Sequence, residues 1–210
     1  MGTVGAGKTT QIKLLKKYLE QREEKTVKTY LRSTHGTTFL ISKFFQLLNA
    51  ISDNKISTTE FHKRTQSIWN ISESISISTK FLISVYIPYK LGYNVIIEEG
   101  LKMTSEHFTR FRPHFLGVNP ILPPFIDVLD KWMDNSNQVV FIIDAQDHVL
   151  IERRKTRNFR RFESDEFVEL QRQSFDNIQG EYVYTIDTTA KTIQDVHREI
   201  INHLEKINDP

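Results

Sequence analysis

The chain reads as an α/β fold in which a parallel sheet is covered by helices on both faces. Two observations predict this. Short β-branched and apolar runs alternate with segments of helical period along all 210 residues, without a long linker, repeat or low-complexity tract. A glycine-rich stretch stands directly in front of the first helical segment. Strands joined through helices run parallel, because the helix carries the chain back to the starting end of the sheet. Side chains with chemistry then collect at the carboxyl ends of the strands.

The glycine-rich stretch is Gly2-Thr3-Val4-Gly5-Ala6-Gly7-Lys8-Thr9, with Thr10 following. Its outer glycines have four residues between them and are followed by Lys and Thr, which is the phosphate-loop (P-loop) pattern. Glycines let backbone N–H groups turn inward around phosphate oxygens, and the following helix adds its positive end. Lys8 can reach the β- and γ-phosphates of a nucleotide, and Thr9 can offer a hydroxyl to Mg²⁺. A plain glycine-rich helix cap is the alternative. A P-loop follows a buried strand that aims it at the ligand, yet only Met1 precedes this one. The expected fold is therefore a P-loop NTPase whose first, central strand is missing from the chain, through a truncated record or a mistaken start site.

Composition bounds the partners. Hydrophobic residues are 39% and charged residues 26%, as in a soluble globular domain, and the length suits a single domain over residues 1–210. The 28 basic and 26 acidic residues nearly cancel, so neither a nucleic-acid nor a membrane partner is indicated. Cysteine is absent, which fits a reducing compartment and a cytoplasmic location. The longest apolar stretch, Phe81–Ile97, is broken by Ser84, Pro88, Lys90 and Asn94 and is no membrane span.

The elements follow in order. Ile12, Leu15 and Leu19 recur at helical spacing after the loop, and Val27–Leu31 reads as a strand ending at Arg32. Phe39–Leu48 is helical. Ser57-Thr-Thr-Glu60 is a capping box that starts a helix running towards Pro88, with Ile68, Ile71, Ile75 and Leu82 on its apolar face. Val95–Ile97 is a short buried strand before Glu98-Glu99-Gly100. Four prolines within residues 112–124 predict a loop. Pro124–Met133 is a helix, and Val139–Ile143 is a strand ending at Asp144. A helix from Asp147 leads into a basic turn, Arg153–Arg161. Ser164–Asn177 is a helix, Tyr182–Ile186 the last strand, and Ile193, Val196, Ile200, Leu204 and Ile207 mark an amphipathic closing helix.

Three strand-end features carry chemistry. Arg32 can grip an acceptor phosphate bidentately, or be a surface arginine in a polar turn; His35 nearby is a weaker candidate. Glu98 or Glu99 can hold Mg²⁺ through water or orient the acceptor, or form an exposed acidic turn. Six of the nine residues from Arg153 to Arg161 are basic. Such a run suits a mobile lid, at about residues 153–165, in which Arg153, Arg157 and Arg161 neutralise a transferred phosphoryl group and exclude water. A solvated basic turn is the alternative.

Four segments resemble, in order and spacing, the thymidylate kinase-like branch of the nucleoside monophosphate kinases. They are Gly5-Ala6-Gly7-Lys8-Thr9-Thr10-Gln11, then Arg32 with Gly36-Thr37, and Phe141–Asp144 through Arg153-Arg154, Arg161-Phe162-Glu163, Phe167 and Gln171-Arg172. The fourth is Ile186-Asp187-Thr188 with Val196. The resemblance implies a five-stranded parallel sheet and ATP- and Mg²⁺-dependent phosphorylation of a nucleoside monophosphate. Its partners would be those small molecules, with a homodimer left open. Two motifs depart from the family pattern. Its Asp-Arg after the third strand is Glu98-Glu99-Gly100 here, and its helix arginine is replaced by the stretch Ser78, Thr79 and Lys80. Thymidylate is therefore expected to be a poor acceptor. A kinase of the same fold with another small acceptor, and a nucleotide-binding regulatory module with little turnover, are the rival readings.

Overall fold

The computed structural model describes residues 1–31, 43, 66–111, 113–114, 125–134, 138–156 and 165–208. All of the expected helix Phe39–Leu48 except Lys43, the capping box at Ser57, most of the proline-rich stretch, Arg32, His35, Arg157 and Arg161 lie outside them. The described residues form a helix-rich α/β chain with small parallel sheets. No described helix is long and apolar enough to cross a membrane. The chain divides into two compact units, Met1–Thr29 with Leu91–Glu98 and Asn137–Pro210, and Tyr30–Lys90 with Glu99–Ser136.

In the first unit the glycine loop opens helix α1, Lys8–Gln21. Strands β1, Thr26–Thr29, and β2, Asn94–Ile97, pair in parallel from Thr26↔Asn94 to Thr29↔Ile97. Strands β3, Val140–Asp144, and β4, Val183–Asp187, pair in parallel from Val140↔Val183 to Asp144↔Asp187. Among the described residues these are two separate two-stranded sheets, where the resemblance implied one sheet of five strands. Residues Met1–Thr3 extend the ladder of β3. Gly2 bridges Ile143 in parallel, Thr3 N donates to Ile143 O at 3.2 Å, and Ile143 N donates to Met1 O at 3.0 Å. The amino group of Met1 donates to Phe141 O at 2.7 Å.

The core of this unit joins Ala6 of the loop to Ile143, Ala145, Leu150, Val168, Ile186, Val196 and Ile200. Leu150 comes from α6, Asp147–Thr156; Val168 from α7, Asp165–Asp176; Val196 and Ile200 from the closing helix α8, Ile193–Asn208. Thr192 caps α8: Asp195 N donates to its hydroxyl, and Thr192 N donates back to the Asp195 carboxylate, a reciprocal capping box. Two expectations need correcting. Residues 153–156 are the last turn of α6, not an open basic turn. Strand β2 is only half-buried, not buried, and among the described residues its one ladder partner is β1.

The second unit is helical. Its long helix α2, Gln66–Phe81, passes through a wide π-helical turn, Leu82–Tyr86, into the short α3, Ile87–Lys90. Pro88 therefore lies inside the helical run. The wider turn relieves the clash between its ring and the carbonyl four residues back. Among its described residues are also helix α4, Leu101–Glu106, which runs into a π-helical turn, His107–Phe111, and α5, Ile126–Asp134. The indole of Trp132 meets Phe81, Tyr86 and Tyr89 at centroid distances of 5.4, 5.2 and 5.6 Å.

The helical assignment of α2 holds, but the expected face is wrong. Ile68, Ile71, Ile75 and Leu82 are 59%, 54%, 52% and 49% exposed. The buried face carries Asn70, Ser74, Ile77, Phe81 and Val85. These positions recur at three and four residues and define a face as regular as the isoleucine one. Apolar periodicity picked the isoleucines because half of the true face is polar.

Candidate functional site

The loop is seated on β3 by its backbone. Gly2 has φ +147°, and a Cβ there would stand 1.9 Å from Ile143 O, so the close approach admits only glycine. Gly7, at φ +97°, is the N-cap of α1 and brings no side-chain cap to the first turn. Amides at a helix start that no side chain caps are left to solvent or to a ligand's phosphate oxygens. The Lys8 ammonium folds back over the loop and donates to Gly2 O at 2.7 Å and Thr3 O at 2.9 Å.

A polar web ties the loop to the ends of β3 and β4. The buried Thr3 hydroxyl donates to Asp144 Oδ1 at 2.5 Å. Arg172 Nε donates to Asp144 Oδ2 at 2.9 Å, and its terminal nitrogens reach Asp147 Oδ1 at 2.7 Å and Ala145 O at 2.8 Å. Burial works against the Arg172 charge, but hydrogen bonds to Asp144 and Asp147 outweigh it and raise its pKa. The buried Thr188 hydroxyl faces Ala6 O at 3.3 Å and Asp144 O at 3.1 Å. Arg153 donates to that hydroxyl at 2.8 Å and to Thr188 O at 2.9 Å. The neighbouring Arg154 is buried, donates Nε to Leu150 O at 3.2 Å, and lays its stem beneath Gly5.

The end of β2 meets the loop through side chains. Thr9 Oγ1 donates to Glu98 Oε1 at 2.5 Å, and Lys28 Nζ stands 2.8 Å from Glu98 Oε2. Burial pushes the Glu98 carboxyl up, but Lys28 and Thr9, with the charge of Lys8, outweigh it and hold its pKa below the ordinary value. In the second unit, Glu99 O accepts from Leu31 N at 3.3 Å. Also there, the Lys80 ammonium lies 5.3 Å from the centroid of the Tyr30 ring, and burial lowers its pKa.

Of the expected site residues, Gly2 through Thr10 form one loop with Lys8 folded over it, and Thr9 reaches Glu98. Arg153 is engaged by Thr188. Thr3 was expected as part of the loop, but its partner Asp144, and Arg172, Thr188 and Lys28, were not singled out in advance as site residues. Asp144, Thr188 and Arg172 stood within matched segments; strand-end position was the signal for Asp144 and Thr188, whereas Arg172 lies within α7. Lys28 carried no signal beyond its place in a short strand. A hydroxyl beside a carboxylate is a set of hard oxygen donors and suits Mg²⁺. Among the described residues no group of three or more His, Asp or Glu could hold a metal unaided. Phosphate oxygens and water would complete such a site.

A helix-rich α/β chain with small parallel sheets and a glycine loop opening α1 is compatible with a P-loop kinase fold. No family model matches the chain. It is similar to a protein of Methanocaldococcus jannaschii described as a probable thymidylate kinase, with 23% identity over 210 residues, covering 98% of this chain and 94% of that relative. That likeness supports a nucleotide-binding enzyme of the kinase type.

Proposed function

We propose that the chain is an ATP-dependent kinase that transfers the γ-phosphoryl group to a nucleoside monophosphate or a closely similar phosphorylated acceptor. The observation that carries this is the Thr9–Glu98 hydrogen bond, set directly behind Lys8 at the start of α1. A hydroxyl and a carboxylate brought together supply hard oxygen donors, which the P-loop pattern needs for its metal.

Backbone amides of residues 4–9 hold the phosphates. The Lys8 ammonium exchanges its two carbonyl partners for β- and γ-phosphate oxygens, which need its charge more. Thr9 would hold Mg²⁺ directly and Glu98 through water; when bound, the ion neutralises charge on the β- and γ-phosphates. Glu99 remains an alternative to Glu98 for orienting the acceptor. Arg153, Arg157 and Arg161 supply positive charge around the transferred group, and Arg32 grips the acceptor phosphate.

A same-fold kinase with a different small acceptor is favoured by one observation, a lysine over Tyr30 on the helix where the family pattern has arginine. ADP release measured across nucleoside monophosphates, nucleosides and other small phosphates tests both readings. The expected result is turnover with a nucleoside monophosphate, thymidylate being poor. Turnover with none of them would sink the kinase reading.

A further inference from the structure

Lys28 stands beside the Glu98 carboxylate for a reason of register. In the β1–β2 pair Lys28 is opposite Ile96, and Glu98 lies two residues beyond Ile96. Side chains two apart on a strand share a face, so Lys28 and Glu98 are diagonal neighbours on one side of the ladder. Glu98 N donates to Thr29 O at 3.1 Å, which prolongs the pairing and fixes that diagonal. The two carboxylate oxygens are then divided: Oε1 accepts from Thr9, and Oε2 faces the Lys28 ammonium at 2.8 Å.

We infer that Lys28 is a positioning residue that keeps Glu98 Oε1 turned to Thr9 and, as a resident counter-cation, suppresses divalent-cation binding until nucleotide arrives. This rests on the kinase reading above. Lys28, at 2.8 Å, and the charge of Lys8 both act on the Glu98 carboxylate, so among these described groups its negative charge is already offset. A divalent cation gains little by entering it alone. Nucleotide phosphates reverse that balance, so the metal enters as its nucleotide complex.

The test uses the full chain and its Lys28→Met, Lys28→Gln and Lys28→Arg variants. Mn²⁺ binding without nucleotide is read from the loss of the free-ion paramagnetic resonance signal. Binding of methylanthraniloyl-ATP is read by fluorescence on the same samples. Removing the ammonium should tighten nucleotide-free Mn²⁺ binding about three- to tenfold in Lys28→Met and Lys28→Gln, by the Coulomb energy of one nearby charge against a divalent ion. Lys28→Arg should match the unaltered chain. Adding Glu98→Gln to Lys28→Met should abolish the gain. Because Lys28 is exposed on a short strand, these variants keep the fold, and a cooperative melt of Lys28→Gln checks it. Unchanged Mn²⁺ affinity in both neutral variants, with ATP binding intact, overturns the role of Lys28 alone. Failure of the unaltered chain to bind methylanthraniloyl-ATP overturns the kinase reading, and the metal-ordering role with it.

Discussion

The β3–β4 end and the β1–β2 end of the first unit hold the glycine loop by different means. At β3 the hold is backbone: Gly2 and Thr3 ladder onto Ile143 with no room for a Cβ. At β2 the hold is the side-chain pair Thr9–Glu98, backed by Lys28. Backbone bonds are indifferent to side-chain chemistry, whereas the Thr9–Glu98 pair is a hydroxyl and a carboxylate, the groups that the proposed site would use. The β3 end thus seats the loop by backbone, and in the proposed function the β2 end would supply its chemistry. Variants on the seat should change stability, and variants on the chemistry should change turnover.

The largest expected effect is on chemistry. Lys8→Ala should lower ATP turnover by about 10²–10³ while the protein still melts cooperatively, since the ammonium would serve the phosphates and its hydrogen bonds to Gly2 O and Thr3 O lie within its own loop. Equal turnover in a coupled ADP assay would remove the phosphate-loop assignment. On the seat, Gly2→Ala forces a Cβ onto Ile143 O at a positive φ, and should destabilise the chain by about 2–5 kcal/mol in urea titration. A melt unchanged from the parent would show that Met1–Thr3 do not seat the loop. Asp144→Ala leaves the buried Thr3 hydroxyl and the Arg172 guanidinium short of an acceptor, and should cost about 1–3 kcal/mol. Its effect on stability should exceed that of Glu98→Gln, which would reverse if the β2 end were the seat.

The smallest effect concerns α8, which packs behind the seat. Burial pushes the His197 imidazole below its usual value, and its Nδ1 is buried without a hydrogen-bond partner. The folded state therefore resists a proton that the unfolded chain takes up near pH ~6.5. This contribution is full above that pH and is lost as pH falls through the lower folded pKa. His197→Phe should flatten the stability profile on the acid side of about pH 6.5. A slope there identical to that of the parent would place the titration elsewhere.

Much of the β3–β4 end was legible in the sequence, because local patterns specify it. The glycine spacing, the apolar run before Asp144, and the period of Val196 and Ile200 on α8 each report their own element. The rest depends on partners distant in sequence. Strand β2 was read as buried from its Val-Ile-Ile run, yet burial depends on how many strands flank it, which no local run reports. On α2 the isoleucines announced the outer face, and small polar groups such as Asn70 and Ser74 fill the inner one. Pro88 was expected to mark the helix end, but the π turn before it carries the helix through. Lys28 became visible only through the register that sets it diagonal to Glu98.

The most direct test of the central claim, that Thr9 and Glu98 serve a phosphoryl-transfer site on this loop, is transfer of label from γ-labelled ATP to nucleoside monophosphates with Mg²⁺ present. The unaltered chain is expected to label at least one monophosphate, and Glu98→Gln to lose about 10²–10³ of that rate while folding normally. Transfer by Glu98→Gln at the parent rate, or no labelled product from the unaltered chain with any monophosphate, would contradict it.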